Sequence, residues 1–264
     1  LNELSSSEIA HALESSPPKQ RKLFFSLLET NEEGDVLADL GEEIQQELVS
    51  NISNEELAEA VKELEPDETV DILQNLPEDR MNTILSKMSL RDRKRIEIGL
   101  NYPENTAGGL LNTDVISVRP SHSIEVVINY LRDQKELPDN TDKIFVVNRE
   151  DEYIGELAIG KIITSKPILN VREVMDTSSN PIYVSQDDKE VATIFERNDI
   201  ISSAVINESG KLIGRITIDD VLDVIREDAD QNFLGMAGVA EDTFAPPGRA
   251  ARSRVFWLSM NLLT

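Results

Sequence analysis

The sequence predicts a multidomain chain, an all-α region followed by an α/β region. Apolar residues recur at helical spacing through roughly the first hundred positions. From about residue 115 onward, strand-like and helix-like runs alternate. That alternation then recurs about 65 residues later, so the second region reads as a tandem repeat.

The helical elements follow in order. Leu57, Val61 and Leu64 form one apolar stripe, Val70, Leu73 and Leu76 a second, and Met81, Ile84, Leu85 and Met88 a third. Ser53 with Glu56 three residues on has the form of a capping box. Pro66 and Pro77 each stand where a first helical turn begins and are followed by two acids, which suit the positive end of a helix dipole. The words LEPDETVDIL and LPEDRMNTIL share an interval of about eleven residues. Helices repeating at that interval stack into a small superhelix, and an ordinary helical bundle remains open as the alternative.

In the second region, 115–118 reads as a strand, 124–131 as a helix, 144–147 as a strand and 152–158 as its continuation after a turn. A short helix is expected near Lys161. The order then recurs: 181–184 extended, 190–197 helical, 203–206 extended, 207–210 a hairpin turn, 211–216 a strand, and a helix from Asp219 onward. Two such β-α-β-β-α units suggest halves related by a pseudo-twofold axis. Gly108 and Gly109 read as a turn entering this region, and His122, after Pro120, as an exposed loop residue.

Composition narrows the function. Over 264 residues there are 26 Lys+Arg against 50 Asp+Glu, a net charge of −24, with no Cys and two His. Such a surface repels phosphate backbones, so nucleic acid is not an expected partner. Without Cys there is no disulfide framework, thiolate-bound zinc or thiol nucleophile. Hydrophobic residues make up 39% and aromatics only 5%, so the cores are mainly aliphatic. The charge is uneven. Residues 31–79 hold seventeen acids and one base, Lys62, a balance of −16, and 219–230 hold six acids against Arg226. From Pro246 onward there are three arginines, Arg249, Arg252 and Arg254, and no acid.

The motifs carry a family resemblance. Residues 181–225 resemble a CBS motif and 115–163 its partner, so the pair resembles a Bateman module. The specific signature is Gly214-Arg215-Ile216-Thr217-Ile218-Asp219-Asp220, which is similar to the ending of nucleotide-competent CBS motifs. The first copy departs from it, with Gly155 in place but Ala158 where Thr belongs and Lys161 where Asp belongs. Over nearly the whole chain, an acidic helical start, YPENTAGGLLNTDVISVRP, the CBS pair, TIDDVLDVIREDADQNF and SRVFWLSMNLLT together resemble the cytosolic part of MgtE-type magnesium channels. AGGLL and DDVLDV are the most specific words. The resemblance implies an all-α superhelical N-domain over 1–104, an α/β CBS-pair (Bateman) domain with motifs at 105–170 and 171–226, and a plug-like C-terminal connecting helix over 227–264. There the chain is expected to begin a transmembrane segment: 255–264 is mostly apolar, too short to span a bilayer, and follows arginines in the manner of a cytoplasmic approach. Trp257 fits an interfacial anchor. An amphipathic helix of a soluble protein is the alternative for this tail. The implied setting is the cytoplasmic face of a membrane, as a homodimer through the CBS pairs and connecting helix, beside the chain's own pore domain.

Magnesium takes oxygen ligands and keeps several waters, so one or two carboxylates per site suffice. Asp220, Asp223, Glu227 and Asp230 share one face of the helix beginning near Asp219, with Asp228 beside them. A solvated face is the ordinary reading of such a stripe. Yet these acids continue away from the helix N-terminus, where the dipole gives no help and like charges are mildly destabilising. In the N-domain, Asp67 and Asp71 match positions where the family's N-domain faces the CBS pair across a shared ion, with Asp220 opposite. Glu196 and Asp199 align with a further family site, where Lys189 replaces a carboxylate. Gln231 and Asn232 stand where the family has acids, which weakens any site there. The implied mechanism is a gate: without Mg2+ facing carboxylates repel, and with it the dimer closes.

A second hypothesis is adenine-nucleotide sensing, with Thr217 toward phosphate and Asp220 toward ribose, ATP or another adenine nucleotide being the ligand. A helix-start hydroxyl is the alternative for Thr217. A third is a scaffold whose acid attracts a basic partner. An enzyme is not expected, since the sequence offers no nucleophile–base constellation, P-loop or Rossmann glycine pattern.

Overall fold

The computed structural model describes residues 4–237 apart from 63, 135 and 136. The chain divides into two compact units, the first containing Leu1–Arg93 and the second Lys94–Ile225.

The first unit is built of short helices: α1 Ser6–Glu14, α2 Pro18–Phe25, α3 Thr30–Ala38, α4 Glu42–Val49, α5 Asn54–Ala60, α6 Pro66–Gln74, α7 Glu78–Leu85 and the start of α8 Leu90–Gly99. Their starts follow from local chemistry. Ser53 accepts the Glu56 N–H and the Glu56 carboxylate accepts the Ser53 N–H, the expected capping box. Pro66 occupies the first turn of α6, as expected, whereas Pro77 is the N-cap of α7, one place outside the helix. Alternate helices stack, α1 on α3, α3 on α5 and α5 on α7, which is the superhelical arrangement. The aliphatic core runs through the stack, with Leu13, Val36, Leu37, Leu48, Leu57, Leu73 and Ile84 almost fully buried. Gly34 lets α3 approach α5 closely: a Cβ there would stand 2.1 Å from the Ala60 carbonyl oxygen.

Beside this contact lies Glu33, only 4% exposed. Its Oε2 is buried and finds no hydrogen-bond donor among the described residues. Burial first, and the Glu56 carboxylate second, push its pKa above the usual glutamate value. A raised folded pKa means that ionisation costs stability: the group's contribution is full below the unfolded pKa and is lost as pH rises through the folded one. Glu33→Gln is therefore expected to raise the thermal midpoint of the first unit by a few degrees at neutral pH. The gain should shrink in acid, where Glu33 is protonated. Equal shifts by calorimetry at both pH values would contradict this assignment.

The second unit holds two copies of one motif. The first is β1 Ser117–Val118, α9 Ile124–Asp133, β2 Lys143–Val147, β3 Tyr153–Ala158 and α10 Ile159–Thr164, followed by α11 Val171–Val174. The second is β4 Ile182–Tyr183, α12 Asp188–Asn198, β5 Ser202–Ile206, β6 Leu212–Thr217 and the start of α13 Ile218–Ala237. Each makes a three-stranded sheet with β1 parallel to β2, β2 antiparallel to β3, and the same order in β4-β5-β6. Lys143 pairs with Ala158 as Ser202 pairs with Thr217, which fixes the correspondence of the copies. By register, Val118 pairs with Val146 as Ile182 pairs with Val205, so the offset is 182 − 118 = 64 residues at the first strand and 202 − 143 = 59 at the second. The first copy thus carries five extra residues between its first two strands.

Each copy encloses its own aliphatic core. One centres on Ile124, Val127, Ile144, Val146 and Leu157, the other on Val191, Phe195, Val205, Ile216 and Val221. The turn containing Gly108 and Gly109 lies at the start of this unit, but Ala107 and Leu111 beside it complete the core of the second copy. Ala107 and Gly108 donate to the Gln186 and Val184 carbonyls, and Asn112 exchanges two backbone bonds of 2.9 Å with Arg215. Asp176 does the same for Glu156 in the first copy. His122 is half-buried rather than exposed, its Nδ1 accepting the Arg119 N–H at 3.4 Å.

Candidate functional site

The junction of β6 and α13 gathers the polar groups that the sequence singles out. β6 delivers Thr217, 1% exposed, to the mouth of α13, where Asp220 is the third helical residue. One oxygen of Asp220, Oδ2, accepts the Thr217 N–H at 3.2 Å and the Thr217 hydroxyl at 2.9 Å. The carboxylate therefore caps the helix while holding the hydroxyl in one orientation. At the corresponding point of the first copy, Ala158 caps α10 with no side-chain bond and Lys161 stands where the acid would be. The departure noted in the sequence thus leaves one such Thr–Asp pair in the unit.

The other copy supplies partners that sequence reasoning missed. Asn140, in the left-handed region at φ 53°, donates from Nδ2 to Asp219 Oδ2 at 2.8 Å. Ser202, at the start of β5, donates to Asp142 Oδ1 at 2.5 Å. Lys143 lies 3.6 Å from the other oxygen of Asp142 and 3.3 Å from Glu156. Asn140, Asp142 and Lys143 of the first copy thus meet Ser202 and Asp219 of the second. The only sequence signal was the left-handed preference of Asn in a turn.

The expected ion ligands fall in both units. In the first unit, Asp67 on α6 is 4% exposed, whereas Asp71 is exposed and accepts the Gln74 amide at 3.3 Å. In the second unit Asp220 is half-buried and Asp223 exposed, one turn apart on α13. Asp228 follows on the same helix, partly buried. The side chains of Glu227 and Asp230, and of Gln231 and Asn232, lie outside the described residues, as does everything from 238 onward, Arg249, Arg252, Arg254 and Trp257 included. Glu196 and Asp199 are exposed at the end of α12, and Asp199 adopts φ 51° as its left-handed C-cap. A helix-ending role accounts for Asp199 without an ion. Among the described residues, no group of three or more His, Asp or Glu is gathered so that it could hold a metal ion. Among them, too, no helix is long and apolar enough to cross a membrane.

Comparison with known proteins follows this architecture. The family model for the MgtE intracellular N domain matches residues 4–105, and that for the CBS domain matches 107–165 and 171–227. The chain is 25% identical over 264 residues to a magnesium transporter MgtE of Bacillus subtilis, covering 99% of this chain and 58% of that protein. It is 30% identical over 178 residues to the magnesium transporter MgtE of Thermus thermophilus, covering 66% of this chain and 40% of that protein. The chain therefore spans about half the length, or less, of these relatives. Among solved structures it resembles the cytosolic domain of the Mg2+ channel MgtE in complex with ATP, with a TM-score of 0.76 and 27% identity over 84% of this chain and 91% of that one. The soluble part of a magnesium transporter shares the fold at a TM-score of 0.63 and 20% identity, over 85% of this chain and 98% of that one.

Proposed function

The chain belongs to the MgtE family, as an MgtE intracellular N domain followed by a CBS pair, and from that premise we propose that it is the cytosolic magnesium-sensing region of a magnesium channel or transporter. The observation that carries this reading is its likeness, across both units, to the cytosolic domain of a Mg2+ channel. The acidic balance of −16 over 31–79 supports it. In this reading the N-domain spans 1–104, the CBS motifs 105–170 and 171–226, and a connecting helix 227–264. It works as a homodimer at the cytoplasmic face of a membrane, joined to its own pore domain, and has no catalytic role.

The proposed ligands are Asp67, Asp71, Glu196, Asp199, Asp220, Asp223, Glu227, Asp228 and Asp230, acting in pairs across closing surfaces rather than as a cage on one. That is consistent with there being no gathered group of three or more among the described residues. Two carboxylates about 6 Å apart repel by roughly 3 kcal/mol at an effective dielectric near 20. Two such pairs supply the roughly 5.5 kcal/mol that moves a two-state population from 1:99 to 99:1. Mg2+ removes the repulsion only in the closed state, so it shifts the population toward that state.

Limited trypsin digestion tests this. Millimolar Mg2+ is expected to slow cleavage of the chain at least tenfold relative to chelator. The Asp67→Asn/Asp71→Asn/Asp220→Asn variant loses both the repulsion and the ligands, so its ratio should fall toward one. An unchanged ratio in the variant would sink the assignment of these residues.

A second reading is favoured by the Thr217–Asp220 pair and by the ATP in the related channel domain. It places one adenine nucleotide per chain at the β6–α13 junction. Titration calorimetry is expected to give one site for ATP, with Thr217→Val weakening it at least tenfold. Absence of heat in both the presence and absence of Mg2+ would remove this reading.

A further inference from the structure

α2 is an inside-out helix. Of its three charged residues Arg21 is fully buried, while Leu23 is 59%, Phe24 42% and Leu27, just beyond the helix, 62% exposed. The guanidinium holds it that way. Nε donates to the Leu13 carbonyl at 3.1 Å, Nη2 to the Ser16 carbonyl at 3.1 Å and Nη1 to Glu47 Oε2 at 2.5 Å. Phe25 is buried on the inner side. Rotating the helix to hide Leu23 and Phe24 would break all three bonds and expose Phe25. The apolar face is therefore presented to solvent by construction.

The rim of this face is basic. Lys19 is exposed, and Lys22 is half-exposed, 3.8 Å from Glu47 and bonded to Asn51. Residues 15–28 contain Lys19, Arg21 and Lys22 and no acid, within a chain of net charge −24. The charge here is thus opposite in sign to the net charge of the chain.

We propose that α2 docks on an anionic lipid bilayer, Leu23, Phe24 and Leu27 entering the headgroup boundary and Lys19 and Lys22 meeting the lipid phosphates. Charge complementarity selects this surface over a neutral one. Area selects it over a second copy of the chain, because three side chains on a two-turn helix fall far short of the roughly 800 Å² per partner that a stable protein interface buries. A bilayer needs only a few inserted side chains, since apolar insertion and phosphate attraction add. The acidic remainder of the chain is repelled by the same headgroups, so the docking has one orientation and weakens with salt. The inference rests on the proposed function only for the nearness of a bilayer.

Fluorescence of the F24W/W257F chain tests it, since that change leaves one tryptophan, on α2. In chelator, vesicles of phosphatidylglycerol are expected to shift its emission to the blue and brominated lipid to quench it. Phosphatidylcholine vesicles should do neither. Adding Leu23→Ser and Leu27→Ser should lower the partition coefficient at least tenfold with unchanged circular dichroism, and Lys19→Gln should lower it about fivefold. Unquenched emission from a vesicle-bound chain would overturn the proposal, because the tail from Arg249 would then be the anchor. So would equal partition into neutral vesicles, or self-association without lipid that the serine pair abolishes. The magnesium response is read without vesicles, so failure of either idea leaves the other standing.

Discussion

Arg21→Met is expected to lower the thermal midpoint of the first unit by roughly 10–20 °C, the size of shift that a loss of about 3 kcal/mol produces in a domain of about 100 residues. Arg21 has no solvent-exposed surface, and its three bonds join α2 to the end of α1, to the chain after it and to α4. Methionine fills most of the volume but satisfies neither carbonyl and leaves Glu47 without its closest cation. Arg21→Lys keeps the charge but loses the fork that reaches three acceptors, so it should fall between the two. Differential scanning calorimetry reads this directly. A shift under about 3 °C for Arg21→Met would mean that the clip contributes little to the fold.

Gly155→Val is expected to unfold the first copy of the repeat, or to lower the midpoint of the second unit by a comparable margin. Gly155 sits at φ 151°, a backbone conformation that side-chain-bearing residues rarely adopt. A Cβ there would stand 2.4 Å from the Asp176 carbonyl oxygen. That carbonyl accepts the Glu156 N–H at 2.9 Å in the bridge that closes the edge of β3, so it cannot move away without breaking the bridge. Strain and clash together cost about 3 kcal/mol or more. Gly160→Ala is the control, since nothing lies within 4 Å of its added carbon. Similar midpoints for Gly155→Val and Gly160→Ala would refute the role assigned to Gly155.

What was legible in the sequence follows the range of the forces involved. Ser53–Glu56 and Pro66 act within one helical turn, so their roles could be read from spacing alone. The repeat was legible because both copies carry the same periodicity, and Gly155 and Gly214 mark equivalent points of their edge strands. Arg21 was not, because its partners lie five, eight and twenty-six residues away, and nothing local distinguishes a buried arginine from a surface one. The Gly108–Gly109 pair reads locally as a turn, yet its neighbours Ala107 and Leu111 complete the core of the second copy, about a hundred residues on. At the site, Thr217 and Asp220 were found through a motif whose bond spans three residues. Asn140 with Asp219, and Asp142 with Ser202, pair across seventy-nine and sixty residues and left no pattern to read. The ion ligands occupy an intermediate position. Helical spacing placed Asp220 and Asp223 one turn apart, but which carboxylates face each other depends on how surfaces close, which periodicity does not encode.

In the proposed function the acid of this chain stores repulsion which a divalent cation releases. Small-angle X-ray scattering of the 264-residue chain, in chelator and in millimolar Mg2+ at equal ionic strength, tests it most directly. A smaller radius of gyration is expected with Mg2+, half-complete at a defined concentration, and no such step when K+ is raised instead. Superimposable profiles in chelator and Mg2+ would contradict it.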